Sequence, residues 1–154
     1  MTSSSGRFAM LTAADPVPPP ELLLDTSAAV ALVVADHDHH DAVVAAVGAR
    51  RLGLAGHAAF ETFSVLTRLP PPARREPAVV ERLLRANFPA SLFLDAAEAA
   101  ALFDSLAGLG IAGGAVFDAL VGAVAVSRSI PLATRDTRAV DVYRTLDVAF
   151  ELIA

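Results

Sequence analysis

The stretch Leu22-Leu23-Leu24-Asp25-Thr26-Ser27-Ala28-Ala29-Val30 decides the fold. Three consecutive leucines form a short apolar run suited to a strand buried on both faces, and the residues from Asp25 onward read as the start of a helix. Before this stretch lie Ser3-Ser4-Ser5-Gly6 and Pro16-Val17-Pro18-Pro19-Pro20. Such a composition cannot bury apolar surface, so residues 1–20 are expected to form a flexible extension, with one domain over residues 21–154.

Beyond the leucines, strand-like runs alternate with helical stretches. The expected strands are Leu22–Leu24, Leu52–Ala55, Ser91–Leu94, Pro131–Thr134 and Val148–Leu152. The expected helices are Ser27–Val34, Asp41–Ala49, Ala58–Arg68, Pro77–Asn87, Ala96–Leu106, Gly114–Ser127 and Thr137–Leu146. This alternation predicts an α/β layer structure around a mainly parallel sheet, in which sites gather beyond the carboxyl ends of the strands. The Pro70–Pro77 segment reads as a rigid polar connection within the domain.

The 154 residues include no cysteine, which excludes disulfides and thiolate metal sites and fits a cytoplasmic protein. Hydrophobic residues make up 55% of the chain and the mean hydropathy is +0.54, a surplus expected to lie in part at a protein interface. Leu106–Val126 carries a single charge, Asp118, and is long enough to compete as a membrane span. Gly108, Gly110, Gly113 and Gly114 break it, so it reads as a helix end, a glycine turn and a new buried helix, with no membrane partner.

A formal net charge of −5 argues at first against a nucleic-acid partner. If four of the 17 acids sit together around metal ions, 13 remain against 12 basic residues, and the outer surface is nearly neutral. All 12 basic residues are arginine, which suits bidentate phosphate contacts, although codon composition accounts first for the richness in arginine and alanine.

Four acids stand in apolar context. Asp25 closes the first strand, where an N-cap is its ordinary role. Asp118 lies between Gly113-Gly114-Ala115-Val116-Phe117 and Ala119-Leu120-Val121-Gly122 on a helix apolar enough to be buried. At helical spacing it shares a face with Gly114, Ala115, Gly122 and Ala125, small residues that would leave a hollow around the carboxylate. The alternative, close helix packing, leaves a buried charge without a partner at a cost of several kcal/mol. Glu61 lies in the mostly apolar Ala58–Leu66, and Asp136 follows the strand candidate Pro131–Thr134, where Thr134 is placed to hydrogen-bond a neighbouring carboxylate. Three of the four are set by topology on one edge of the sheet. Carboxylates gathered there raise one another's pKa unless a cation is bound, and an all-oxygen set selects magnesium or manganese.

Leu23-Leu24-Asp25-Thr26-Ser27-Ala28, Phe60-Glu61, Val116-Phe117-Asp118-Ala119-Leu120 and Thr134-Arg135-Asp136, in this order, resemble a PIN domain, and within that family the VapC toxins. The resemblance spans about Leu22 to Leu152. It implies a three-layer α/β/α fold and a magnesium-dependent endoribonuclease (manganese also serving) whose Asp25, Glu61, Asp118 and Asp136 hold the metal and carry the catalysis. It also implies an RNA substrate, a homodimer and a cognate antitoxin protein that silences the active groove. The extension before Leu22 departs from the pattern, since these toxins usually begin almost at the first strand.

Other readings are weaker. Asp36-His37-Asp38-His39-His40-Asp41 resembles a metal cluster but is read as a polar turn capping the next helix, because adjacent His39 and His40 point in different directions. Arg68 and Arg135 are read as solvated charges. A haloacid-dehalogenase-like phosphatase also uses an aspartate after its first strand, but needs a second aspartate where this chain has Ser27. The alternative of a different class is a non-catalytic interaction module that binds a partner through its apolar faces.

Overall fold

The computed structural model describes residues 16–154. Four strands, β1 (Leu22–Leu24), β2 (Leu52–Leu54), β3 (Leu132–Thr134) and β4 (Phe150–Leu152), form an all-parallel sheet in the order β2-β1-β3-β4. Leu23 pairs with Gly53 on one side and Leu132 on the other, which puts β1 at the centre. Seven helices connect and cover the strands: α1 (Thr26–Val33), α2 (His40–Val47), α3 (His57–Thr67), α4 (Pro77–Asn87), α5 (Ala96–Ser105), α6 (Ala115–Arg128) and α7 (Val140–Thr145).

Alternation along the central strand divides the core. Leu22 and Leu24 pack with Ala28, Ala29 and Ala31 of α1 and Val43 and Val47 of α2, while Leu23 faces Val121, Val124 and Ala125 of α6 and Tyr143 of α7. Helices therefore cover both faces, in the three-layer α/β/α arrangement expected of a parallel sheet whose strands are apolar throughout. No helix among the described residues is long and apolar enough to cross a membrane. The glycine-rich segment between α5 and α6 is a turn, with Gly110 (φ 69°) and Gly113 (φ 58°) in the left-handed region.

The structure corrects three local expectations. Ser91–Leu94 is not a regular strand and retains one bridge, Leu92 to Ala55, beside β2. The amides of Ala90 and Leu92 donate to Leu52 and Leu54 as in a parallel ladder, but the amide of Leu54 donates 2.9 Å to the Ser91 hydroxyl instead of a backbone carbonyl. The helix expected from Thr137 begins at Val140, because the Asp136 carboxylate accepts the Arg138 amide at 2.9 Å and its carbonyl accepts the Ala139 amide at 3.1 Å. A local Asx turn competes there with the first helical turn. Asp36–His39 is indeed a turn and His40 and Asp41 already open α2, yet His39, at the start of α2, makes no side-chain capping bond, and the His37 ring accepts the His39 amide instead.

Of the expected extension, residues 1–15 lie outside the described residues. Pro20 is buried, and the Pro19 carbonyl accepts a bond from the Arg51 guanidinium at 3.1 Å.

Gly53 sets the spacing at the β2 edge. A Cβ there would stand 2.3 Å from the carbonyl oxygen of Ala90, a backbone atom that cannot rotate away. Gly53→Ala is expected to cost about 2 kcal/mol, as overpacked positions do, and so to lower the melting temperature by roughly 5 °C in a denaturation scan.

Candidate active site

Asp25 leaves the carboxyl end of β1 at the centre of the sheet and is only 5% exposed. Its Oδ1 accepts the Ala28 amide (3.1 Å), which N-caps α1, and the Ser27 hydroxyl (2.6 Å). Its Oδ2 accepts the Tyr143 hydroxyl (3.0 Å) and a short bond from Thr134. A carboxylate has about four acceptor positions, so these donors saturate it. Burial pushes its pKa up, against the opposing pull of the hydrogen bonds. The residue that caps α1 is thus also the most buried of the four acids.

Thr134 ends the neighbouring strand β3. Besides donating to Asp25, its hydroxyl accepts the Asp136 amide at 3.0 Å, fixing the turn that carries Asp136. The Asp136 carboxylate faces that turn and lies 3.5 Å from Nε of the exposed Arg138. Glu61, on the second turn of α3, accepts the Thr26 hydroxyl at 2.9 Å, and its other carboxylate oxygen lies 2.9 Å from the His57 ring nitrogen Nε2. Asp118 lies half-buried on the first turn of α6.

The four acids converge electrostatically on Asp118. Its pKa is pushed up to about 6, first by burial and then by the charges of Asp136, Asp25 and Glu61, with Arg138 opposing. Four sequence-distant segments therefore place negative charge in one region, at the strand end of the sheet where open α/β folds carry their sites. Among the described residues no three Asp, Glu or His side chains stand in metal-ligating geometry. Glu61 faces Thr26 and His57, and Asp136 faces its own turn. The donor set nevertheless fits a hard divalent ion in its chemistry: all donors are carboxylate oxygens, and their mutual repulsion is what such an ion would relieve.

The small residues around Asp118 divide between two roles. A Cβ on Gly114 would meet open space, in keeping with a hollow beside the carboxylate. Gly122 instead allows close packing of α6 on α7, since a Cβ there would stand 3.1 Å from Tyr143 and Val148. That approach seats the Tyr143 ring in the core and brings its hydroxyl to Asp25.

The sequence singles out the four acids and Thr134 but not the contacts that Tyr143, Ser27, Thr26 and His57 make with them. Tyr143 is the only tyrosine in the chain, and nothing local to it reveals that α7 packs against α6. Ser27 and Thr26 directly follow Asp25, so their hydroxyls were a readable signal. Arg68 is exposed as expected, whereas Arg135 is half-buried, with its amide donating to Ser27 at 2.8 Å and its Nε buried without a partner.

A parallel sheet with acidic side chains from strand ends and neighbouring helices gathered on one edge defines a class that comparison with known proteins identifies. The PIN domain family matches residues 22–145, and the chain belongs to that family. Within it, the chain is similar to ribonuclease VapC27 of Mycobacterium tuberculosis, with 46% identity over 129 residues, covering 84% of this chain and 94% of that protein. Two solved structures share the fold. One is M. tuberculosis VapC20, described as a sarcin-ricin loop cleaving toxin, with TM-score 0.61 and 18% identity over 78% of this chain and 93% of that one. The other is VapBC2 from Rickettsia felis bound to a promoter DNA fragment, with TM-score 0.63 and 12% identity over 86% of this chain and 98% of that one.

Proposed function

We propose that this protein is a metal-dependent endoribonuclease, the toxin of a toxin–antitoxin pair, and that Asp25, Glu61, Asp118 and Asp136 hold magnesium or manganese at its active site. The feature that carries this reading is the gathering of four carboxylates from β1, α3, α6 and the turn after β3 within reach of one another's charge, with Asp118 half-buried among them. Similarity to a VapC ribonuclease supports the activity, and the VapC20 description supports RNA as the substrate.

When bound, the ion lowers the pKa of a water and stabilises the entering and leaving oxygens of an in-line phosphoryl displacement. The chain's residues prepare the site for it. Asp25 is held in one orientation by four donors, and it would ligate the ion by giving up one of them. Glu61 and Asp136 are the adjustable members, each held by groups that can be exchanged for the ion. Arg135 and Arg138 are the cations beside the site, placed to meet phosphate.

The likeness to VapBC2 supports an antitoxin partner. So does the apolar surface: Phe60, Phe93 and Phe103 are exposed, and a groove of about 510 Å³ is lined by Phe60, Phe63, Leu84, Phe88 and Phe93. A homodimer formed through part of this surface belongs to the same proposal, as does a single domain over residues 21–154 acting on RNA in the cytoplasm.

Incubation of the purified protein with total RNA, with and without chelator and with cleavage ends mapped, tests the activity. Cleavage that stops in chelator and resumes with magnesium or manganese is the expected result, and cleavage unaffected by chelator overturns the metal mechanism. Magnesium at about a hundredfold excess over its dissociation constant is expected to stabilise the fold by about 2.7 kcal/mol, raising the melting temperature by roughly 5–10 °C. An unmoved transition at millimolar ion counts against the site.

A further inference from the structure

We propose that Phe117, backed by His57, is a stacking platform for a nucleobase of single-stranded RNA next to the phosphate to be cut. This rests on the ribonuclease reading above and adds a substrate subsite to it. The two rings lie nearly parallel, 17° apart with centroids at 5.0 Å, in an offset stack. Each is tied to a site carboxylate: Phe117 immediately precedes Asp118 on α6, and His57 Nε2 lies 2.9 Å from the Glu61 carboxylate one turn along α3. The stack therefore bridges the helices that carry two of the four acids.

Beyond its contact with His57, Phe117 has no evident task in folding. It is 49% exposed and belongs to none of the buried clusters. Among the described residues His57 is its only aromatic partner, so much of the ring faces solvent. A phenylalanine held in this way needs little further ordering to receive a base, and every base has a face that can stack on it. Charge points the same way. The cations beside the acids are Arg138, whose side chain is 93% exposed, and Arg135, in a chain of net charge −5. Counterion release from so few contacts is small, and an apolar contact with the base makes up part of the affinity that phosphate contacts do not supply.

The test uses the full chain with magnesium and a single-stranded RNA oligonucleotide containing one mapped cut, either intact or with one abasic nucleotide at each position flanking the cut. On intact RNA, Phe117→Ala is expected to raise KM by about 10- to 100-fold, the range for losing one stacked base, with kcat little changed, while Phe117→Trp stays close to the parent. At one flanking position the abasic substrate is expected to impose the same loss on the parent and no further loss on Phe117→Ala. Penalties that multiply at every position, or an unchanged KM, overturn the stacking platform. A change in oligomeric mass of Phe117→Ala by light scattering, with kcat and KM falling together, identifies Phe117 as a protein contact and also overturns it. If the parent cuts no RNA, the ribonuclease reading falls and this inference with it, whereas a parent that cuts RNA alongside an unimpaired Phe117→Ala overturns the platform alone.

Discussion

Asp118→Asn is expected to reduce RNA cleavage by more than about a hundredfold, since even residues one step removed from a metal typically cost 10- to 100-fold. The same substitution is expected to stabilise the metal-free protein. The folded-state pKa of Asp118 lies near 6, above the ordinary aspartate value of 3.8, so its charge opposes folding at neutral pH. A group raised in this way stabilises the fold below its unfolded pKa and loses that contribution as pH rises through the folded value. The metal-free parent should therefore lose stability between about pH 4 and pH 6 through this group, and Asp118→Asn should not. A shift of this size on a fully buried group would be worth roughly 3 kcal/mol, but Asp118 is half-exposed, and solvent screening reduces the figure to about 1 kcal/mol. That corresponds to about 3 °C in melting temperature in chelator at neutral pH. A melting temperature that drops instead would make Asp118 a structural hydrogen-bond partner and remove the basis for the four-carboxylate site.

Asp25→Ala should behave in the opposite way. It too should end cleavage, but it removes the acceptor for three hydroxyls and the N-cap of α1. The Thr134 hydroxyl is buried, and Tyr143 is 1% exposed. Leaving their donors without a partner costs about 1–3 kcal/mol for each group, and loss of the cap about 1 kcal/mol more. The raised pKa of Asp25 offsets part of this at neutral pH, because burial of its charge opposes folding. A net loss of about 3 kcal/mol, or roughly 6–12 °C in melting temperature, is expected from denaturation of the metal-free variant. An Asp25→Ala protein as stable as the parent would mean that the hydroxyls find other partners and that Asp25 does not organise the site. The opposite signs at Asp118 and Asp25 separate a carboxylate held for an ion from one that also holds the fold.

Much of the fold was legible because its signals are local. Leu22–Leu24 reads as a doubly buried strand, the glycines between Leu106 and Ala115 read as a break between helices, and all four observed strands lie within expected runs. The departures arose where side chains compete with the backbone. Ser91 supplies a hydroxyl where the ladder would use a carbonyl, and Asp136 closes an Asx turn where a helix was expected to start. Composition and periodicity do not report such substitutions of one hydrogen-bond partner for another.

At the site, the sequence by itself determined which acids stand out. Asp25, Asp118 and Asp136 follow or precede apolar runs, and a charge in that context is anomalous without reference to any other residue. It also determined that the sheet is mainly parallel, and with it the edge to which strand-end residues belong. Only the tertiary structure decided how the acids are used. Asp25 is saturated by hydroxyls from three segments, one of them the tyrosine that α7 brings across 118 positions of chain. Asp118 is left half-buried in the field of the other three. The physical reason is range. Strand and helix signals act over a few residues and are written in consecutive positions, whereas burial, charge coupling and hydroxyl donation depend on which distant surfaces pack together.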